Sequence, residues 1–211
     1  MIFATLCNIF CNFSAQMLAF MQIYLYLCTV KHSTLTPTLP FERGAGGVSF
    51  DYQHNMKLTL LVVGKTVGTE LPKMIDTYVQ RLKHYIPFDI QVIPDLKNTK
   101  SLSESQQKQQ EGEAILRAVE GCYVVLLDEH GKEYRSLTFA SQLQSWLNTS
   151  TRGLTFVIGG PYGFSEAVYQ RADAKISLSQ MTFSHQMIRL LFVEQLYRAM
   201  TILRGEPYHH E

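Results

Sequence analysis

From Met56 to the C-terminus, short β-branched and aliphatic runs alternate with longer segments whose apolar residues recur every three to four positions. Residues 57–63, 88–93, 122–127, 154–158 and 174–178 predict strands. Residues 71–84, 103–119 and 138–148 predict helices, the last with Phe139, Leu143, Trp146 and Leu147 on one stripe. Ser165-Glu166 and Ser184-His185 open two more helical runs. This alternation predicts a mainly parallel α/β sheet with helices on both faces.

In such sheets ligands gather at the C-terminal strand ends. The fourth run stops abruptly at Gly159-Gly160-Pro161, with Gly163 close behind. Paired glycines there either build a tight turn or let backbone approach a ligand that side chains would block. Asp128-Glu129 ends the third run. It reads as a solvated turn in which Asp128 supports the loop, or as a metal or catalytic position. The fifth run leads into Ser179 and then Gln180-Met-Thr-Phe-Ser-His185.

At 211 residues the chain is long enough to bury a core without disulfides. A net charge of +1 excludes a strongly cationic protein that coats nucleic acid, and leaves only a focused basic site. Cys7, Cys11 and Cys28 crowd into the first thirty residues, and Cys122 stands alone beyond them as a small core residue. This is neither a disulfide framework nor a zinc spacing, and a reducing, cytoplasmic setting follows as the expectation.

Residues 1–30 carry no charged side chain, and residues 31–55 have no usable periodicity. Asn8, Asn12, Ser14, Gln16 and Gln22 interrupt the apolar stretch, and it lacks the cationic start of a secretory signal. A membrane anchor is therefore not expected. Residues 1–55 are read as an atypical extension, disordered or a misassigned gene start, and residues 56–211 as the functional domain.

Gly64-Lys65-Thr66 follows the first strand, but a phosphate-binding loop needs a glycine where Thr59 stands. No G-x-G-x-x-G follows a strand, and neither H-E-x-x-H nor G-x-S-x-G occurs.

Taken together, several segments resemble the RlmH family of bacterial ribosomal RNA methyltransferases, in the SPOUT superfamily. They are M-K-L-T-L-L-V-V-G from Met56, V-V-L-L-D-E-x-G-K from Val124, I-G-G-P-Y-G from Ile158, S-L-S-Q-M-T-F-S-H from Ser177, E-Q-L-Y-R-A from Glu194 and the closing P-Y-H-H-E. They occur in the family's order and span the chain after the extension. The resemblance implies a C-terminal trefoil knot, a departure from the rule that connections do not thread loops. It implies S-adenosyl-L-methionine bound in bent form among three loops: Leu127 and Asp128; Gly159 and Gly160; and Ser179, Gln180, Met181, Thr182, Phe183 and Ser184. No metal is implied, because the sulfonium is already an activated electrophile.

The implied reaction is methyl transfer to N3 of a pseudouridine in large-subunit (23S) ribosomal RNA on the assembled ribosome, by a homodimer. Candidate contributors are His185, Arg189, Arg198, Tyr208, His209 and Glu211. The arginines are suited to bind phosphate or polarise a uracil carbonyl, and Tyr208 and His209 to hold an extruded base. Against these roles, Arg198 pairs equally well with Glu194 one turn away, and His185 is placed to cap the last helix. Tyr169, Phe192, Leu196 and Met200 supply apolar material for a dimer interface or for the core. Where the family's tail reads Tyr-His-Arg-Glu, this chain has His210, which weakens charge-based grip on RNA. The competing readings are a SPOUT methyltransferase for transfer RNA and a membrane-tethered, non-catalytic ribosome-binding factor.

Overall fold

The computed structural model describes residues 57–96, 102–150 and 152–209. The extension, His210 and Glu211 lie outside the described residues. In chain order the elements are β1 (Leu58–Val63), α1 (Glu70–Leu82), β2 (Phe88–Ile93), α2 (Glu104–Ala118), β3 (Tyr123–Glu133), α3 (Ser136–Thr149), β4 (Leu154–Ile158), α4 (Glu166–Arg171), β5 (Ala174–Ser177) and α5 (Met187–Leu203). The strands form one sheet in the order β2-β1-β4-β3-β5, and every neighbouring pair is parallel.

Burial explains the composition of each strand. All six residues of β1 and all five of β4 are buried, as expected of central strands covered on both faces. At the edge, β2 buries only Phe88 and Ile93. On one face, Phe156 of β4 sits between Trp146 of α3 and Phe192 of α5, with ring centroids 6.0 and 4.7 Å away. Each such aromatic pair adds about 0.5–1.5 kcal/mol beyond the area it buries. On the other face Leu61, Val63, Val124, Leu126 and Val157 pack against Ile115 and Val119 at α2 and Phe164 and Val168 at α4.

Three details differ from the sequence reading. β3 continues to Glu133: it pairs with β5 through Leu127↔Ile176, bulges outward, and pairs with Ile176 again at Lys132. Gly131 permits this second approach, because a Cβ there would lie 2.3–2.7 Å from the Ile176 backbone. α5 starts at Met187 rather than at Ser184-His185, and His185 is not its cap; the Ser184 hydroxyl instead accepts from Met187 N–H at 3.2 Å. Phe192, Leu196 and Met200 are core within a single chain, exposed by no more than 1%. The large apolar residues left exposed include Val67, Tyr162, Met181 and Phe183.

Candidate active site

The register sets Leu127, where β3 begins to bulge, level with the C-terminal ends of β4 and β5. Leu127 of β3 stands opposite Ile158 of β4 on one side and Ile176 of β5 on the other. The loops that follow enclose a cleft of about 610 Å³, within the range of small-molecule sites. Nine of the ten proposed cofactor residues line it: Leu127, Asp128, Gly159, Gly160, Ser179, Met181, Thr182, Phe183 and Ser184. Gln180 does not; its amide reaches out to Glu133 at 3.5 Å. Ile158, Phe164, Ile176 and Ile188 add apolar wall, and Lys108 and His185 add basic groups.

Each loop is shaped by its own sequence. Gly163 N–H donates to the Gly160 carbonyl at 3.2 Å and closes the Gly160-Pro-Tyr-Gly163 turn. After β5, the Ser177 hydroxyl donates to the Ser179 carbonyl at 2.8 Å, and the Ser179 hydroxyl accepts from Met181 N–H at 2.9 Å. Such serine turns fold the loop back on itself. They leave Met181 71% exposed and Phe183 41% exposed at the rim, where a ligand would cover them.

Asp128 supports the bulge. One carboxylate oxygen accepts from the Tyr169 hydroxyl at 2.5 Å and the other from His130 N–H at 2.8 Å. Burial alone would push this carboxyl up, but the Tyr169 and His130 donors outweigh it and hold Asp128 below the ordinary 3.8. Burial, and then the bond to Asp128, push the Tyr169 phenol up in turn. A carboxyl with a lowered folded-state pKa stabilises the fold above its unfolded value, and that contribution fades as pH falls through the folded value. Asp128→Asn is therefore expected to be less stable at neutral pH by about 1 kcal/mol. The gap should narrow as pH drops through 3.8 and below, measured by urea unfolding across acid pH.

The candidate catalytic residues divide into three places. His185 lines the cleft. Arg189 is 1% exposed; it donates to the Val63 carbonyl at 2.6 Å and to the Thr66 hydroxyl at 2.9 Å. Farther along α5, Arg198 pairs with Glu194 at 2.6 Å and lies 4.8 Å from the Tyr208 ring centroid. Tyr208 donates to the same Glu194 at 3.1 Å. His209 follows with its Nδ1 buried and without a hydrogen-bond partner.

Sequence reasoning missed the contribution of α2. Lys108 lines the cleft, and one turn later Glu111 is 96% buried behind Gly160 (4% exposed). Both belong to a run of glutamines and glutamates that reads as a solvated face, so periodicity gave no signal. Among the described residues no three His, Cys, Asp or Glu side chains are grouped to hold a metal ion. No helix among them is long and apolar enough to cross a membrane.

Comparison with known proteins identifies the family. The family described as predicted SPOUT methyltransferase matches residues 56–209. The chain is 65% identical over 157 residues to the ribosomal RNA large subunit methyltransferase H of Bacteroides thetaiotaomicron, covering 74% of this chain and all of that protein. It is 60% identical over 157 residues, with the same coverage, to the enzyme of that name from Parabacteroides distasonis. By the extent of the family match and the level of identity, the chain belongs to the SPOUT methyltransferase family.

Proposed function

We propose that residues 56–211 form an S-adenosylmethionine-dependent methyltransferase that modifies N3 of a pseudouridine in large-subunit ribosomal RNA. The observation that carries this reading is the convergence of the β3 bulge and the β4 and β5 end loops on one cleft lined by nine of the ten residues expected to hold the cofactor. The cleft suits that ligand. Leu127, Ile158, Ile176, Met181 and Phe183 offer an apolar bed for adenine and the thioether arm, and Ser179, Thr182 and Ser184 offer hydroxyls for the ribose and polar ends. When bound, the cofactor supplies a methyl group already activated by its sulfonium.

The chain's own task is then orientation and proton removal. The three loops fix the direction from which N3 must approach, which is the main source of rate in such a transfer. His185 lines the cleft just before α5, and in this reading it is the candidate to accept the N3 proton directly or through water. The Arg198–Glu194–Tyr208 group lies outside the cleft lining, and it is suited to hold RNA brought to the site of a second subunit. The reading includes a homodimer, a trefoil knot in the C-terminal half, and a cytoplasmic location.

The test is titration calorimetry with S-adenosylmethionine, followed by methylation of large-subunit RNA within ribosomes, scored by mass spectrometry of the pseudouridine nucleotide. Binding at one site per chain and a single methylated pseudouridine are expected. Methylation of transfer RNA in preference would replace the substrate assignment. His185→Ala is expected to keep cofactor affinity within twofold and to slow single-turnover methylation by about 10²-fold or more; an unchanged rate removes His185 from the proton path.

A further inference from the structure

Glu111 lies on α2 and is 4% exposed. Its Oε1 accepts from the Gln107 amide at 2.7 Å, while Oε2 is buried and has no hydrogen-bond partner. A buried carboxylate oxygen left unpaired costs free energy that an apolar side chain at the same place would avoid. Its position connects this cost to the site. A Cβ built on Gly160 would meet Oε2 at 2.3 Å and the carboxyl carbon at 2.9 Å, so the carboxylate is pressed against the backbone of a residue that lines the cleft. Next along the helix, a Cβ on Gly112 would lie 2.2 Å from the Ser165 hydroxyl, so α2 is seated tightly and Glu111 has little room to swing away.

We propose that Glu111 makes the cleft selective for a positively charged ligand, its unpaired oxygen acting across the Gly160 backbone on the cationic part of the cofactor. The inference rests on the reading of the cleft as the S-adenosylmethionine site. That molecule carries two positive groups, the sulfonium and the ammonium of its amino-acid end. The demethylated product keeps only the ammonium. A carboxylate facing the sulfonium would hold the cofactor more tightly than the product and so favour exchange after each turnover. One facing the ammonium would hold both equally.

In the free protein the carboxylate is unfavourably placed. Burial pushes the Glu111 carboxyl up, the Gln107 amide opposes the shift, nearby Asp95 adds to it, and His185 opposes it. The charge of an incoming cation on the far side of Gly160 would favour the ionised carboxylate and be favoured by it in turn.

The experiment compares the full chain with Glu111→Gln, which keeps the shape and removes the charge. Glu111→Met, equally long and neutral, is the second variant. Affinities for S-adenosylmethionine, S-adenosylhomocysteine and methylthioadenosine, which bears neither charge, are measured by calorimetry, and folding of each variant is checked by thermal melting. The readout is the ratio of affinities, which a purely structural role for Glu111 would leave unchanged. A loss of about tenfold for S-adenosylmethionine alone, the size expected of one charge pair in a partly screened site, assigns the sulfonium as the partner. Equal losses for S-adenosylmethionine and S-adenosylhomocysteine, with methylthioadenosine unchanged, assign the ammonium. A common change in all three, or no change, overturns the inference while leaving the cofactor site intact. Failure of the parent chain to bind S-adenosylmethionine overturns both.

Discussion

Replacing Gly131 with alanine is expected to destabilise the fold by about 3 kcal/mol, the upper end for overpacking a rigid site, and to abolish measurable cofactor binding. The added methyl would lie 2.3 Å from the carbonyl carbon, 2.6 Å from the nitrogen and 2.7 Å from the Cα of Ile176. All three are backbone atoms of a strand residue that is 1% exposed, so no side chain can rotate aside. The strands must part. Ile176 pairs with β3 on both sides of the bulge, at Leu127 and at Lys132, and β5 leads directly into the loop that carries Ser179 to Ser184. Separation at this point therefore displaces two of the three loops around the cleft. Urea unfolding at fixed protein concentration and calorimetry with S-adenosylmethionine read the two effects. A variant within 0.5 kcal/mol of the parent, an order-of-magnitude threshold for an ordinary surface change, would show that the bulge is not held by this approach.

Gly131 also marks where the sequence stopped being legible. The five strands and the parallel sheet follow from hydrophobic runs, because central parallel strands bury both faces and advertise themselves as continuous apolar segments. Periodicity ends β3 at Leu127, since Asp128-Glu129-His130-Gly131 reads as a turn; the strand resumes only because β5 offers a second register, a tertiary fact. Gly160 carries a similar lesson. Its sequence position suggests backbone left open toward a ligand, yet the space a side chain would fill belongs to Glu111. A Gly160→Val substitution would thus strike α2, and loss of cofactor binding in it would not report obstruction of the cleft alone.

The nine cleft-lining residues were legible for a different reason. Their motifs lie at the bulge of β3 and the ends of β4 and β5, which the sheet brings level, and the family resemblance names those motifs in order. Lys108 and Glu111 were not legible, because on a helix of glutamines and glutamates a buried carboxylate looks like one more solvated residue. The pairing of Arg198 with Glu194 was visible as an i, i+4 spacing, but the stacking of Arg198 on Tyr208 depends on how the tail folds back.

The second large effect is expected at Arg189. Its guanidinium is buried at the first turn of α5, and its two terminal nitrogens donate to the Val63 carbonyl and the Thr66 hydroxyl, tying α5 to the loop that leaves β1. Gln186 completes the clamp: its carbonyl accepts from Val67 N–H at 3.1 Å, and its amide donates to the Lys65 carbonyl at 3.2 Å. Arg189→Met preserves much of the apolar stem but leaves the Val63 carbonyl without this donor. A loss of about 2–3 kcal/mol follows from an unsatisfied buried acceptor together with a lost charge-assisted bond. Arg189→Lys restores charge without the planar fork, and is expected to recover less than half of that loss because one ammonium cannot reproduce both directions. If Arg189 instead acts on the RNA, the Met variant will unfold at the parent's urea midpoint, bind S-adenosylmethionine normally and fail only in methylation. If it is the clamp, stability will fall first, and hydrogen exchange at residues 64–69 will accelerate in both variants, more in Met than in Lys. The geometry supports the clamp: both terminal nitrogens are occupied by groups from β1 and its loop, and the side chain is 1% exposed, so a nucleotide could reach it only after those bonds break.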